Sequence, residues 1–237
     1  MQPPREGMVL SLIALTSSPD LIDQVHDRLL AAVVDGSLAP GERLTQESVA
    51  ARLGVSRQPV SHALQLLKRR GLLIEHGKRG LAVAPLDAQR IRDLYQVRGS
   101  LEVLAAELAA RRAAAGNLPG RDRAHAQEAL ARGGTLGADA AILDLVEADV
   151  NFHSALHLMS GNAAIAETIS EQWPHFMRSM GFVLTEAKIR QRVWNEHAQI
   201  LAAVLAGRPD KAANLMRHHV AGAGEDTARR LERPGAG

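Results

Sequence analysis

Apolar residues recur at helical spacing in two stretches of the chain, residues 20–71 and residues 86–231. In the first stretch the spacing predicts a helix that Asp20 caps and Gly36 ends. The inward face of this helix carries Ile22, Val25, Leu29, Ala32 and Val33. The second stretch is helical almost throughout, with no strand pattern inside it. The chain is therefore predicted to be mostly α.

Two short helices follow the first one. Thr45 can cap the earlier helix, and Gly54 supplies its left-handed end. Ser56 can cap the later helix, which Gly71 ends. This later helix has an apolar face formed by Val60, Leu64 and Leu67 and an opposite polar face formed by Arg57, Ser61, Gln65 and Lys68.

A basic hairpin comes next in the chain. Leu72–Glu75 and Leu81–Ala84 are predicted strands, and the turn between them, HGKRG, carries Lys78 and Arg79 at its tip. Two helices joined by a glycine-containing turn and followed by such a hairpin predict a winged helix-turn-helix, which is shaped to enter a DNA groove. The polar face can hydrogen-bond base edges, and the tip residues suit phosphates or the minor groove. The same geometry also occurs in proteins that bind no nucleic acid.

Local charge supports contact with DNA, whereas net charge does not. The formal net charge of the chain is only +2. Between Lys68 and Arg79, however, five basic residues stand against one acidic residue, Glu75. A basic patch at the hairpin together with a polar helix face favours the DNA-binding interpretation.

The composition is that of a globular, helix-rich protein, with 237 residues that are 46 % hydrophobic, 23 % charged and 3 % aromatic. The absence of cysteine excludes disulfides and thiolate metal sites, which fits a cytoplasmic location. The apolar run Met8–Leu15 is preceded by Glu6 and followed by no cleavage site, so it is not predicted to be a signal peptide. No run approaches the roughly 18 apolar residues of a membrane span.

Glycine-containing breaks divide the second stretch into six or seven predicted helices, which together form an all-α bundle. The opening helix has an apolar stripe of Ile91, Leu94, Val97, Leu101, Leu104 and Leu108. Gly133 and Gly134 are predicted to be a break, and further helices are predicted at 121–132, 143–159, 163–180, 185–206 and 210–231. The predicted domains are an extension (1–18), a winged helix-turn-helix (19–86), a helical domain for ligand binding and dimerisation (87–232) and a tail (233–237).

Four polar side chains in the helical domain form a candidate metal site. Asp149 and His153 are spaced i, i+4 on one helix face, and two consecutive antiparallel helices can bring His197 and His219 together. One carboxylate and three imidazoles suit Zn, Ni, Mn or Fe. Spacing alone is weak support, because scattered histidines are usually solvated, and the neighbouring residues His157 and His218 are competing ligands.

Both domains resemble a known family. The string RLGVSRQPVSHALQLLKRRGLL followed by GKRGLAVAP resembles the winged helix of the GntR family of bacterial transcription regulators, over Leu21 to Pro85. The segments DLYQVRGSLE, DVNFHSALHLMSGN and EHAQILAAVLAGRPDKAANLMRHH resemble the FCD effector domain of the FadR-like branch of that family. The whole chain is thus similar to a two-domain regulator.

The resemblance implies roles for particular residues. It implies that Arg57 contacts bases and that Gly80 approaches the minor groove. The expected DNA-binding set is Thr45, Arg57, Gln58, Ser61, Gln65, Lys68, Lys78, Arg79 and Gly80. It also implies a divalent metal, zinc first and Ni, Mn or Fe as alternatives, on Asp149, His153, His197 and His219.

Two more residues are expected at the effector site. The resemblance places Arg98 in the cavity, where it could pair with a carboxylate; the alternative is an i, i+4 salt bridge with Glu102. Asn195 lies near His197 in the sequence and is a second candidate for effector binding, together with its neighbours Arg190 and Trp194.

Two positions depart from the family pattern. Glu47 and Ser61 stand where the family often has arginine. Both changes remove positive charge from the surface that would face DNA. We therefore expect an unusual operator and a shallow dependence of DNA binding on salt.

The sequence as a whole predicts a homodimeric transcriptional regulator, favoured to be a repressor, and not an enzyme. It would bind double-stranded operator DNA and sense a small carboxylate metabolite, with no membrane partner. One alternative is a metal-dependent hydrolase fused to a DNA-binding module, for which Glu196 is the only visible general base and could simply face away. The other is a DNA-binding protein whose metal is purely structural.

Overall fold

The computed structural model describes residues 19–77, 80–137 and 139–233. The predictions for residues 1–18, for Lys78 and Arg79 at the hairpin tip, and for residues 234–237 lie outside this described part. The N-terminal domain consists of α1 (Pro19–Val34), β1 (Arg43–Leu44), α2 (Gln46–Leu53), α3 (Arg57–Arg69), β2 (Leu73–His76) and β3 (Gly80–Val83). The helical domain consists of α4 (Ala88–Ala114), α5 (Gly120–Thr135), α6 (Ile142–Ser160), α7 (Ala163–Ser170), α8 (Trp173–Val183), α9 (Ala187–Leu205) and α10 (Pro209–Leu231).

The N-terminal domain is a winged helix-turn-helix, as predicted. Its sheet has the antiparallel order β1-β3-β2, with Leu44 opposite Leu81 and Ile74 opposite Ala82. The apolar face of α3 is buried against the rest of the domain, since Val60 and Leu67 are fully inaccessible. This burial leaves the polar face of α3 turned outward.

Local capping chemistry explains the helix-turn-helix. Thr45 Oγ1 accepts a hydrogen bond from the Ser48 backbone N–H at 3.1 Å, and Gly54 ends α2 in the left-handed region at a φ of +66°. Ser56 precedes α3, but its side chain makes no capping bond. The prediction that Asp20 caps α1 is wrong, because α1 already begins at Pro19, a residue favoured at the first helical position.

Residues 163–180 of the helical domain do not form one continuous helix. The predicted single helix is two helices, α7 and α8, separated by Glu171 and Gln172. Pro174 lies in the first turn of α8, where its missing N–H costs nothing. Seven helices result in the described part, with α10 packed along α4 and α6 packed on α4, α5 and α8.

Gly133 and Gly134 do not break α5, contrary to the prediction. The helix continues to Thr135 because Gly133 faces the indole of Trp194. A Cβ atom on Gly133 would lie only 1.8 Å from that indole, so the glycine makes room for a large neighbour. Gly134, by contrast, has open space where a Cβ would be.

The two domains meet on α8. His175 Nε2 donates a hydrogen bond of 2.7 Å to the carbonyl oxygen of Arg70, the residue that caps the C-terminal end of α3. Nearly two turns further along α8, a Cβ on Gly181 would lie 2.8 Å from the carbonyl oxygen of Val34 at the end of α1. Thus α8 touches both the recognition helix α3 and α1.

Within the described part of the chain, no helix combines the length and apolar content that a membrane crossing needs.

The contrast between the two glycines of α5 gives a paired prediction. Gly133→Ala should lower the free energy of unfolding by about 1–3 kcal/mol, because the added methyl group must displace Trp194. Gly134→Ala should raise it by up to about 1 kcal/mol, since alanine loses less backbone entropy in a helix. Urea unfolding followed by circular dichroism measures both values, and equal effects at the two positions would contradict the packing assigned to Gly133.

Candidate functional sites

The polar face of α3 is the first candidate site. Arg57, Gln58 and Gln65 are exposed on it, and Ser61 and Lys68 are half-buried. We call these five residues the DNA face. Gly80 begins β3 where a Cβ would approach the carbonyl oxygen of His76 to 3.0 Å, so a glycine suits the base of this hairpin.

Several members of the DNA face are held by neighbouring side chains. Arg57 Nη2 lies 2.7 Å from Glu47 Oε1, and Lys68 Nζ lies 2.6 Å from Glu75 Oε1. The Lys68 ammonium lowers the pKa of Glu75 through this hydrogen bond and its charge. Ser61 Oγ accepts a hydrogen bond of 3.1 Å from Gln46 Nε2. Glu47, one of the two departures from the family pattern, therefore neutralises the arginine that is expected to read bases.

The second candidate site is a buried histidine cluster, which we define as Asp149, His153, His197 and His219. The structure brings all four predicted side chains together from α6, α9 and α10, and each is at most 5 % exposed. His197 Nε2 lies 3.1 Å from His219 Nε2 and 3.6 Å from Asp149 Oδ1. His153 Nε2 lies 3.7 Å from Asp149 Oδ2. One nitrogen from each histidine lies within 4.8 Å of the other two.

Two glutamates stand behind the cluster. Glu196 Oε2 accepts a hydrogen bond of 2.7 Å from His219 Nδ1, so that Nε2 of the same ring faces the other histidines. The suggestion that Glu196 could face away is thus wrong. Glu102 Oε2 lies 3.0 Å from His153 Nδ1, although the angle is outside ordinary hydrogen-bond geometry. Such outer carboxylates orient imidazole ligands in metal sites.

The cluster has the chemistry of a metal site. Burial lowers the pKa of His153 and brings that of His197 well below its ordinary value, so both rings are neutral, as metal ligation requires. His153 Nε2 is buried without a hydrogen-bond partner among the described residues. A buried unpaired nitrogen is unfavourable unless it binds something. These observations fit a divalent ion on the four residues.

The two competing histidines occupy other positions. His157 is buried, but its Nε2 lies 3.1 Å from Glu102 Oε2 and not in the cluster. His218 is exposed, and its Nδ1 lies 2.7 Å from the carbonyl oxygen of Asn214. Sequence spacing alone could not separate these residues from His153 and His219.

Arg98 makes the salt bridge with Glu102 and also lies beside the histidine cluster. Its Nε donates to Glu102 Oε1 at 3.2 Å, the i, i+4 pair, and both side chains are almost fully buried. Its Nη2 also lies 3.9 Å from Asp149 Oδ2, which places the guanidinium beside the cluster. Burial opposes the charge of Arg98, but Glu102 and then Tyr95 and Asp149 outweigh it and raise the pKa of Arg98, which stays protonated.

Glu102 was considered only as a partner of Arg98, yet it organises the site. It is completely buried and contacts Arg98, His153 and His157. Burial alone would raise the pKa of Glu102, but the contacts with His153, His157 and Arg98 hold it well below its ordinary value. Its spacing from Arg98 was the only available signal in the sequence.

The space beside the cluster is small. A cavity of about 20 Å³ is lined by Arg98, Asp149 and His219, and Met180 and Val183 of α8 and the following residue Leu184 also line it. That volume holds a water molecule or an ion but not a metabolite. A roomier groove of about 520 Å³ lies elsewhere, between α4 and α10, and no histidine of the cluster lines it.

Asn195 and its neighbours do not line this cavity, contrary to the expectation for Asn195. Asn195 is exposed, because two positions along a helix turn a side chain away from His197. Arg190 instead donates to the carbonyl oxygens of Leu184 and Thr185. Trp194 packs near the His197 ring, with centroids 4.8 Å apart.

Comparisons with known proteins show the family of the chain. Residues 21–83 match the gntR family of bacterial regulatory proteins, and residues 93–222 match the FCD domain. An uncharacterized HTH-type transcriptional regulator of Streptomyces ambofaciens is 31 % identical over 210 residues, which cover 86 % of this chain and 84 % of that protein. The chain therefore belongs to the GntR family and carries an FCD domain. It is a DNA-binding transcriptional regulator.

Other relatives are also regulators and not enzymes. The "Probable D-xylose utilization operon transcriptional repressor" of Paenarthrobacter nicotinovorans is 26 % identical, over 84 % of each chain. YdhC of Bacillus subtilis, also an HTH-type regulator, is 35 % identical over 36 % of this chain, and that match spans only 38 % of YdhC. The solved structure of Escherichia coli McbR/YncC shares the fold with a TM-score of 0.71 at 23 % identity, covering 92 % of this chain and 98 % of that one.

Removal of the Glu102 carboxylate should destabilise the helical domain. Glu102→Gln leaves Arg98 buried with only the more distant Asp149 as a counter-charge, so we expect a loss of about 3 kcal/mol in the free energy of unfolding. The matched control is Glu107→Gln, which removes the acid of the more exposed Arg111 pair on the same helix and should cost less than about 1 kcal/mol. Urea unfolding measures both, and similar losses would contradict the central position of Glu102.

Proposed function

We propose that this regulator is a homodimeric repressor that senses a small carboxylate metabolite at the histidine cluster. The convergence of Asp149, His153, His197 and His219 in a buried site, with Arg98 beside it, is the observation that carries the proposal. On this proposal the two recognition helices of a dimer read a roughly two-fold operator. The DNA face and Gly80, with Thr45 at the start of α2, form the DNA contact, to which Lys78 and Arg79 would add.

The four residues of the cluster would hold a divalent ion, with zinc as the first candidate and Ni, Mn or Fe as alternatives. A bound ion would offer open coordination positions to a carboxylate oxygen. Glu196 keeps the proton of His219 on Nδ1, so that Nε2 is free to ligate. Burial keeps His153 and His197 neutral for the same role.

Arg98 would recognise the carboxylate group of the metabolite. Its guanidinium is fully charged, desolvated and packed against the rings of Trp173 and Phe176, 5.1 and 5.0 Å from their centroids. A guanidinium in this environment pairs strongly with a carboxylate, because little water competes. Glu102 holds the guanidinium of Arg98 beside the cluster.

The small cavity suggests how metabolite binding would alter the affinity for DNA. A metabolite must enlarge the space that Met180 and Val183 of α8 and the following Leu184 line, and on this proposal it does so by displacing α8. The same helix holds Arg70 at the end of α3 through His175 and contacts Val34 of α1 through Gly181. Displacement of α8 would therefore move the DNA-binding domain, provided that the metabolite binds the displaced state more tightly.

A purely structural metal is the second candidate function. It is favoured by the closed cavity, since about 20 Å³ leaves no room for a metabolite without movement. A hydrolase is disfavoured, because Glu196, the candidate base, is occupied by His219 and Arg192.

Operator binding in the presence of carboxylates tests the proposed sensing. We expect one member of a panel of mono-, di- and hydroxycarboxylates to weaken operator binding by about 5- to 150-fold, the usual range of allosteric coupling. The full chain is titrated against DNA selected from a random pool, and fluorescence anisotropy is the readout. Chelation and His197→Ala should abolish the shift, and the metal content should fall from one ion per chain.

His218→Ala is the matched control for that experiment, because His218 is exposed and adjacent to the cluster residue His219. It should keep both the metal and the response. If chelation lowers the melting temperature but no carboxylate alters operator affinity, the structural-metal function is correct instead.

The pair between Glu47 and Arg57 predicts a change in salt dependence. Glu47→Gln should tighten DNA binding, because it frees Arg57 and removes a carboxylate that would repel phosphates. The slope of log K against log salt should steepen by about 0.9 if one more phosphate is neutralised. Glu42→Gln, which disturbs the exposed pair with Arg52, is the control and should leave the slope unchanged. Identical slopes for the two variants would refute the masking of Arg57.

A further inference from the structure

A second cavity lies between the two domains, and none of its lining residues belongs to the histidine cluster. Its volume is about 450 Å³, within the range of small-molecule sites. The end of α3, the start of α4 and the start of α8 bound it, and its polar lining residues are Arg69, Arg70, Arg90, Glu171, Gln172 and His175. We call it the junction cavity.

The junction cavity is strongly cationic. Three arginines line it against a single carboxylate, Glu171. The ion pairs of the described residues engage other arginines, such as those at 57, 92 and 98, and leave Arg69, Arg70 and Arg90 without a carboxylate partner. Arg69, Arg70 and Arg90 are exposed, and their three positive charges exceed the single negative charge of Glu171, so this lining favours an anion.

A further arginine, Arg178, lies three residues after the lining residue His175. Arg178 on α8 is only 3 % exposed, and its Nη2 has no hydrogen-bond partner among the described residues. Burial lowers its pKa to about 10. Burial also lowers the pKa of His175, the hydrogen bond to the Arg70 carbonyl oxygen opposes this change, and the charges on Arg90 and Arg178 add to it.

Helix dipoles explain only part of the arginine cluster. Arg69 and Arg70 lie at the C-terminal end of α3, where basic residues are common because they offset the dipole. Arg90 lies in the first turn of α4, where the dipole disfavours a cation, and Arg178 is buried within α8. A ligand of opposite charge in the junction cavity would account for the three arginines that line it.

We propose that the junction cavity binds a small phosphate-bearing anion, held by Arg69 and Arg70 from the DNA-binding domain and by Arg90 from the helical domain. Guanidinium groups match phosphate oxygens in charge and in their paired donors. Such an anion bridges the two domains and cancels the repulsion between their arginines. It therefore fixes the position of the recognition helix against α8, and operator affinity depends on it. This site is independent of the metal and of the carboxylate.

Thermal unfolding of the full chain in inorganic phosphate tests the site, with chloride at matched ionic strength as the baseline. Phosphate should raise the melting temperature of the wild type, and the apparent Kd should weaken about tenfold for each of Arg69→Gln and Arg90→Gln. Arg132→Gln is the control, because Arg132 is an exposed arginine in the last turn of α5, which does not line the cavity. It should respond as the wild type does.

Three results would overturn the proposal. One is a phosphate shift of equal size in all variants, which indicates an adventitious salt effect only. Another is the absence of any shift in the wild type. The third is that Arg90→Gln binds the operator more weakly and with a shallower salt dependence, while phosphate shifts the melting temperature of all variants alike. That result would assign these arginines to contacts with the DNA backbone. None of these results bears on the histidine cluster, so the two sites can fail separately.

Discussion

The helical domain is built around one buried carboxylate. Glu102 is inaccessible to solvent, and its two oxygens contact the guanidinium of Arg98 and the rings of His153 and His157. A charge in that position is tolerable only when it is paired and hydrogen-bonded. The pairing fixes α4 against α6, holds Arg98 under the aromatic rings of α8, and places Glu102 against His153 of the histidine cluster. Stability and chemistry in this domain therefore depend on the same side chain.

The helix α8 is the second organising feature, because its two sides belong to different tasks. Met180, Val183 and Leu184 close the small cavity beside Asp149, and Trp173 lies over Arg98. The other side of α8 meets the DNA-binding domain at Arg70 and Val34. Because α8 is a single helix of about three turns, the internal site and the recognition helix both contact the same element.

Sequence alone predicted the winged helix closely, because its signals are local. The cap at Thr45, the left-handed Gly54 and the inward Val60 and Leu67 each depend on a few neighbouring residues. The helical domain depends on distant partners, so its details were harder to predict. The apolar stripe of α4 placed Val97 and Leu104 among the inward residues, yet both are exposed and the buried face carries Arg98 and Glu102 instead. Likewise, only the fold shows that Gly133 accommodates Trp194 and that Asn195 faces solvent.

The exposed pair between Glu47 and Arg57 has a consequence for how the protein finds its operator. A duplex of arbitrary sequence offers phosphates, which repel Glu47, and few base edges that can replace the carboxylate as a partner of Arg57. We therefore expect short residence on arbitrary DNA, which would leave a larger fraction of the molecules free to sample new positions on the chromosome.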